Sequence, residues 1–358
     1  MKFIKYLIKL SLVIFVSIST VAMTFFLFFL SIVIVGLALT TQSVDEVLLT
    51  DKTKKIYGNI DSKNLFLSIP VSGLIVGDSY DISDPFGMLS DSLTYGYKIK
   101  DKLYEASKQE NIKGIILEVH SPGGTIYGSK AIADGIAYYS EKTSKPVIAY
   151  IAGLAASGGY WASIGADYVV ADYGSVVGSI GVLSGPFKYY DEPIAEDGGL
   201  LQGGVVTNSG IEAVMITAGK SKDMGNPYRR LSEFEIDKLQ DMVNNQYDDF
   251  VEYVSMRRNI SEVDIRENIG AFIFEPKTAI DLKLIDAVKS KEDTFQELAL
   301  QAGITGDDYQ IVREEKSQGL MDILLGAAMY NQKQINVSSC SVSKVILAYY
   351  GNVAEVCN

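Results

Sequence analysis

Between Lys9 and Asp45 the chain carries no charged side chain, and residues 10–39 (LSLVIFVSISTVAMTFFLFFLSIVIVGLAL) are almost continuously apolar. About 20 apolar residues suffice to cross the hydrocarbon core of a bilayer as a helix. A run of this length is therefore predicted to span a membrane, which divides the chain into two very unequal parts. Lys2, Lys5 and Lys9 precede the run and Asp45 and Glu46 follow it. By the positive-inside rule, residues 1–9 lie in the cytoplasm and the rest of the chain lies outside. A cleavable signal peptide is the competing reading, but its apolar region is usually about 7 to 15 residues long. The expectation is a single-pass anchor in the plasma membrane. Residues 40–63 are polar without a sustained period and are predicted to be a stalk, 64–315 a folded domain, and 316–358 a tail of unassigned role.

Within 64–315 the hydrophobic pattern alternates between two periods. LFLSIPVSGLIVG reads as a strand that breaks at Gly73, residues 93–109 as a helix, and GIILEVH as a buried strand. Residues 129–139 then read as a helix, VIAYIAG as a strand, 159–164 as the opening of a helix, and DYVVA as another strand. Strands alternating with helices predict an α/β fold with a largely parallel sheet covered on both faces. Ligands of such sheets sit at the carboxyl ends of the strands. Two Gly-rich segments fall there, SPGG at 121–124 and AASGG at 155–159. Farther on, Ser232 and Glu235 form a capping box before a helix with an apolar stripe through Ile236, Leu239, Val243, Tyr247, Phe250 and Val254.

Composition narrows the chemistry. The net charge is −12 and no Lys/Arg-rich stripe is present, which argues against nucleic acid as a partner. Cys340 and Cys357 are the only cysteines, and His120 is the only histidine. No Cys/His metal cluster can be assembled. Outside the cell the two cysteines could form a disulfide or remain thiols.

Ser157 lies at a predicted strand-to-helix turn among residues with little side-chain bulk, a pattern A-x-S-x-G that resembles a nucleophile elbow. The competing reading is an ordinary serine N-cap. The N–H groups of Gly158 and of Gly123 or Gly124 are candidates for an oxyanion hole. A serine nucleophile needs a base. His120 is one candidate, and Lys220 and Lys222, two residues apart in ITAGKSKDM, are others.

The succession SPGG, KPVIAYIAGLAASGGYWASIGADYVVAD, GSVVGSIGV and AGKSKD closely resembles the signal peptide peptidase A family of membrane-associated serine proteases. The similarity runs in order from about Leu65 through Val288, including YRRLSEFE and TAIDLKLIDAV. It implies a ClpP/crotonase-like fold of repeated β-β-α units and a Ser-Lys dyad without histidine, and it implies neither a metal nor a cofactor. Its serine falls on Ser157, and its G-x-x-K lysine falls on Lys222 after Gly219 rather than on Lys220. Its G-S-I-G segment falls on 178–181, where Ser179 could orient the lysine. The resemblance also implies a homo-oligomeric ring whose dyad is completed across a subunit boundary. Implied substrates are hydrophobic peptides such as signal-peptide remnants, cleaved beside the lipid bilayer through an acyl-enzyme. A crotonase-fold acyl-CoA enzyme and a catalytically inactive membrane scaffold are the alternative expectations. The tail after Glu315 falls outside the resemblance.

Overall fold

A computed structural model of the protein describes residues 15–31 except 18, 22 and 29, then 53–78, 93–191, 193, 195–196, 205–206, 210–212, 214–315 and 347–349. The chain divides into two compact units, Met1–Asp51 and Lys52–Asn358. In the first, the described residues of 15–31 form helix α1, on which Phe15, Phe25, Phe26 and Phe28 are exposed. Among the described residues no helix is long and apolar enough to cross a membrane. The remainder of the predicted 10–39 span lies outside the described residues.

The second unit is built on one large sheet. Its main path runs β1 (Thr53–Gly58), β12 (Gln310–Glu314), β2 (Leu65–Val76), β4 (Ile112–Thr125), β5 (Val147–Ala156), β6 (Tyr168–Ala171) and β11 (Ala287–Val288). Every pairing on this path is parallel except β1 with β12. Largely parallel pairing is what the alternating sequence predicted. β1 falls inside the stretch read as a stalk. It is a half-exposed edge strand, TKKIYG, whose two apolar residues, Ile56 and Tyr57, are adjacent and so give no alternating pattern for the sequence to reveal. Helices α2 (Gly96–Ser107), α3 (Ile126–Thr143), α4 (Gly158–Ser163) and α8 (Lys291–Gln301) follow or flank the strands. Buried Phe66, Ile116, Ile148, Val170, Phe295 and Leu298 form a core cluster between sheet and α8.

The three central strands bend at one level. β2 slips register between Ser72 and Leu74, and β4 slips between Val119 and Ser121. β5 pairs with β6 as far as Ile151 and then with β7 (Val176–Gly178) from Leu154. Gly73 and Gly153 sit at this level with φ of 68° and 96°, the region where an unbranched backbone is needed. The strand read as breaking at Gly73 therefore continues past it to Val76, because a glycine bulge bends a strand without ending it. Likewise SPGG is not a strand-to-helix turn but the last part of β4. Beyond the bend, β2 pairs in parallel with β3 (Leu93–Tyr95), and β4 carries the antiparallel strand β13 (Leu347–Tyr349) on Gly123, Gly124 and Thr125. A small separate sheet pairs β8 (Ala195–Glu196) with β9 (Val205–Val206).

Past β7 the chain forms α5 (Glu233–Arg258), a short α6 (Glu262–Asp264), a π-helical turn over Ile265–Ile269, β10 (Ile273–Phe274) and α7 (Pro276–Asp281). The predicted capping box is present: Ser232 Oγ accepts the Glu235 amide, and Glu235 reaches back to the Ser232 amide. From the predicted stripe, Phe250 and Val254 are buried whereas Ile236 is half exposed. Phe250 and Tyr253 stack on Trp161 of α4 at ring-centroid distances of 4.6 and 5.4 Å.

Candidate active site

β5 delivers Ser157 to the site and α4 begins at the next residue. The backbone of Ser157 has φ 53° and ψ −118°, a region that residues with a Cβ rarely occupy. Strain of this kind costs on the order of 1–3 kcal/mol and persists only where the surroundings impose it. Here β7 imposes it, since the Ser157 amide donates to Gly178 O at 2.8 Å. An N-cap serine would instead adopt an extended backbone and accept an amide of the helix it opens. Ser157 makes no such capping bond, and its Oγ donates to Gly181 O at 3.2 Å. The tight turn is thus not an N-cap, and it holds a serine that is fully buried in this conformation.

Close approach explains the neighbouring glycines. A Cβ on Gly159 would lie 2.7 Å from Ser121 O, so the absence of one lets α4 rest on SPGG. A Cβ on Gly124 would lie 1.9 Å from Ile75 O, so β4 could not pass β2 there with any larger residue. Ser121 is fully buried, donates to Gly73 O at 2.6 Å and accepts the Gly123 amide at 3.1 Å. The Gly123 amide is consequently engaged with its own strand, which counts against it as an oxyanion donor in this conformation. The Gly158 amide is one of the N-terminal helix donors without an intrahelical acceptor.

The loop after β7 wraps the serine from the other side. Ser179 is buried with φ 54°, and its amide donates to Phe272 O at 2.6 Å. β10 holds this loop from behind by pairing with β7. The hydroxyl of Ser179 has no hydrogen-bond partner among the described residues. The sequence reading singled out the 178–181 segment for Ser179 and not for the Gly181 carbonyl, which leaves no side-chain signature.

The candidate bases lie elsewhere. His120 is exposed, and its Nδ1 lies 2.6 Å from Ala152 O. Among the described residues nothing links it to Ser157. Lys220 places its ammonium 3.4 Å from the centre of the Phe234 ring. Lys222 is exposed in a turn over residues 219–225, and its ammonium has no ion-pair or hydrogen-bond partner among the described residues. Close contacts within one chain bring together Ser157, SPGG and the 178–181 loop, and among the described residues no hydrogen bond or ion pair joins Lys222 to them.

The sequence profile of peptidase family S49 matches residues 140–305, which include Ser157, Ser179 and Lys222. That of Clp protease matches residues 93–170, which include SPGG and Ser157. A chain of Methanocaldococcus jannaschii named as a protease is 32% identical over 244 residues, covering 65% of this chain and 74% of that one. An Enterococcus faecium chain named as signal peptide peptidase SppA is 31% identical over 204 residues, 57% of this chain and 55% of that one. A solved structure of ClpP1 from Listeria monocytogenes superposes with a TM-score of 0.38 at 12% identity, covering 64% of this chain and 94% of that one. With the archaeal chain matched over nearly three quarters of its length and the profile spanning the serine elbow, this chain belongs to peptidase family S49.

Proposed function

We propose that the protein is a membrane-anchored serine endopeptidase in which Ser157 is the nucleophile and Lys222 the general base. The observation that carries this is the backbone of Ser157, held at φ 53° without a capping bond. Strain at a position that otherwise only ends a strand is explained by presentation of the hydroxyl. The seating of β13 on Gly123, Gly124 and Thr125 supports a peptide substrate, because that edge accepts an extended chain through backbone pairing.

In the proposed reaction the neutral Lys222 amine takes the Ser157 hydroxyl proton as Oγ attacks the scissile carbonyl. The Gly158 amide, with Gly124 or a released Gly123, holds the developing oxyanion. The lysine ammonium then returns the proton to the leaving amine, and water cleaves the acyl-serine ester. Lys222 rather than Lys220 is the base, since Phe234 already holds the Lys220 ammonium. With no hydrogen bond joining Lys222 to Ser157 among the described residues, the dyad would be completed by a second copy, and Ser179 would orient the incoming amine. Exposed Phe234, Ile236 and Met242 on α5 give such a homo-oligomer apolar surface to bury. The apolar run at 10–39 would anchor the enzyme beside hydrophobic peptides leaving the bilayer, with the catalytic unit on the extracytoplasmic side.

The test is labelling with a fluorophosphonate probe. Wild type and Lys220→Ala are expected to label at Ser157, while Ser157→Ala does not label and Lys222→Ala labels far more slowly. Full labelling of Ser157→Ala would remove the nucleophile, and undiminished labelling of Lys222→Ala would remove the base.

A further inference from the structure

The turn that carries Lys222 is pinned on both sides of that residue. Asp223, the next residue, accepts Arg229 through both carboxylate oxygens, Nε to Oδ2 and Nη2 to Oδ1, each at 2.7 Å. Arg229 also grips Glu235, with Nη1 to Oε2 at 2.9 Å and Nη2 to Oε1 at 2.7 Å. Its remaining N–H, on Nη1, donates to Arg230 O at 2.9 Å. All five guanidinium donors are thereby used, an arrangement that a lysine cannot reproduce.

Glu235 is only 2% exposed and sits in the first turn of α5, where its carboxylate also accepts the Ser232 amide at 2.8 Å. Lys220 lies over Phe234 of that first turn. Residues 220 and 223 are both fastened to the start of α5, and the side chain of 222 between them has no partner among the described residues. Capping does not require this, because Ser232 and Glu235 complete the helix end between themselves. The bonds from Arg229 hold the carboxyls of both Asp223 and Glu235 below their ordinary values, so the clamp stays charged at neutral pH.

We propose that Asp223, Arg229 and Glu235 form a positioning clamp that fixes the Lys222 turn on α5 and so orients the Lys222 amine for its reaction with Ser157. This rests on the assignment of Lys222 as base. Arg229 acts through Lys222 and touches neither the substrate nor the nucleophile.

The experiment uses the full chain, with Arg229→Lys made in wild type and in Lys222→Ala. It measures kcat and KM on a peptide substrate and the rate at which a fluorophosphonate modifies Ser157. Trp161, the only tryptophan, reports by its emission that each variant is folded. Arg229→Lys is expected to lower kcat and the labelling rate roughly 10- to 100-fold, the cost of an ångström-scale misplacement. KM should stay within about threefold, and the slow labelling that persists in Lys222→Ala should not slow further, since effects that run through one residue are not additive. An unchanged kcat overturns the clamp, as does a slowing equally large in both backgrounds, which would make Arg229 merely structural. Should Arg229→Lys fail to fold, Asp223→Asn takes its place, because it keeps the shape and one acceptor but loses the charge. Full activity in Lys222→Ala sinks the base assignment itself, an outcome separate from failure of the clamp alone.

Discussion

At the scale of single residues, Ser157 stores backbone strain that its side chain does not relieve. Glycine at the same position would adopt φ 53° without penalty. Ser157→Gly is therefore expected to be more stable than Ser157→Ala by about 1 kcal/mol, although both lack the hydroxyl. Urea melts followed by Trp161 emission measure the difference, and equal midpoints would mean that the strain is not imposed by the fold. Gly159 makes the complementary case. Gly159→Ala would bring a methyl to 2.7 Å from Ser121 O, a backbone atom that cannot swing away. The variant is expected to fold with α4 displaced from SPGG and to label at Ser157 at least about tenfold more slowly than wild type. Wild-type labelling would show that α4 need not rest on SPGG.

At the scale of elements, the site depends on the bends in β2, β4 and β5, and those strands need holding below the bend. Glu118 of β4 does this through Lys291 of α8 at 2.6 Å, Ser68 of β2 at 2.6 Å, and Arg313 of β12. Burial by itself would push the Glu118 carboxyl up, but the bonds from Lys291, Ser68 and Arg313 together hold it below its ordinary value. A carboxylate depressed in the folded state contributes stability above its unfolded value that is lost as pH falls through its folded value. The protein is accordingly expected to lose stability below about pH 4. Glu118→Gln should cost about 2 kcal/mol at neutral pH and flatten that acid limb. Thermal melts of both proteins from neutral to acidic pH test this, and parallel curves would show that Glu118 is not a source of the acid sensitivity.

At the scale of the whole molecule, the division between Met1–Asp51 and Lys52–Asn358 lets the proposed anchoring and the proposed catalysis be tested separately. The full chain is expected to sediment with membranes and resist alkaline extraction. A chain beginning at Lys52 should stay in solution with its melting temperature unchanged. Recovery of the full chain in the soluble fraction would end the proposal of an anchor, and external protease treatment of intact cells tests the side on which the catalytic unit lies. If the dyad is completed by a second copy, the specific activity of the chain beginning at Lys52 should fall on dilution in step with loss of the oligomer. A fully active monomer would require Lys222 to reach Ser157 within its own chain.

Much of this protein is legible in one dimension, because local patterns fix local structure. The periods of apolar residues gave α/β alternation, Ser232 with Glu235 gave the start of α5, and small residues around Ser157 gave an elbow. Each depends on residues within a few positions of one another. The sequence could not tell an elbow from an N-cap, since the difference is the backbone angle that Gly178 imposes from another strand. Nor did it show that SPGG extends β4, because glycines that signal a turn locally serve here to let β2 and α4 approach. The clamp on the Lys222 turn was invisible for the same reason. Glu235 was legible only as a capping residue, and nothing in the sequence joined it to Asp223 and Arg229, which only folding brings within reach of one another.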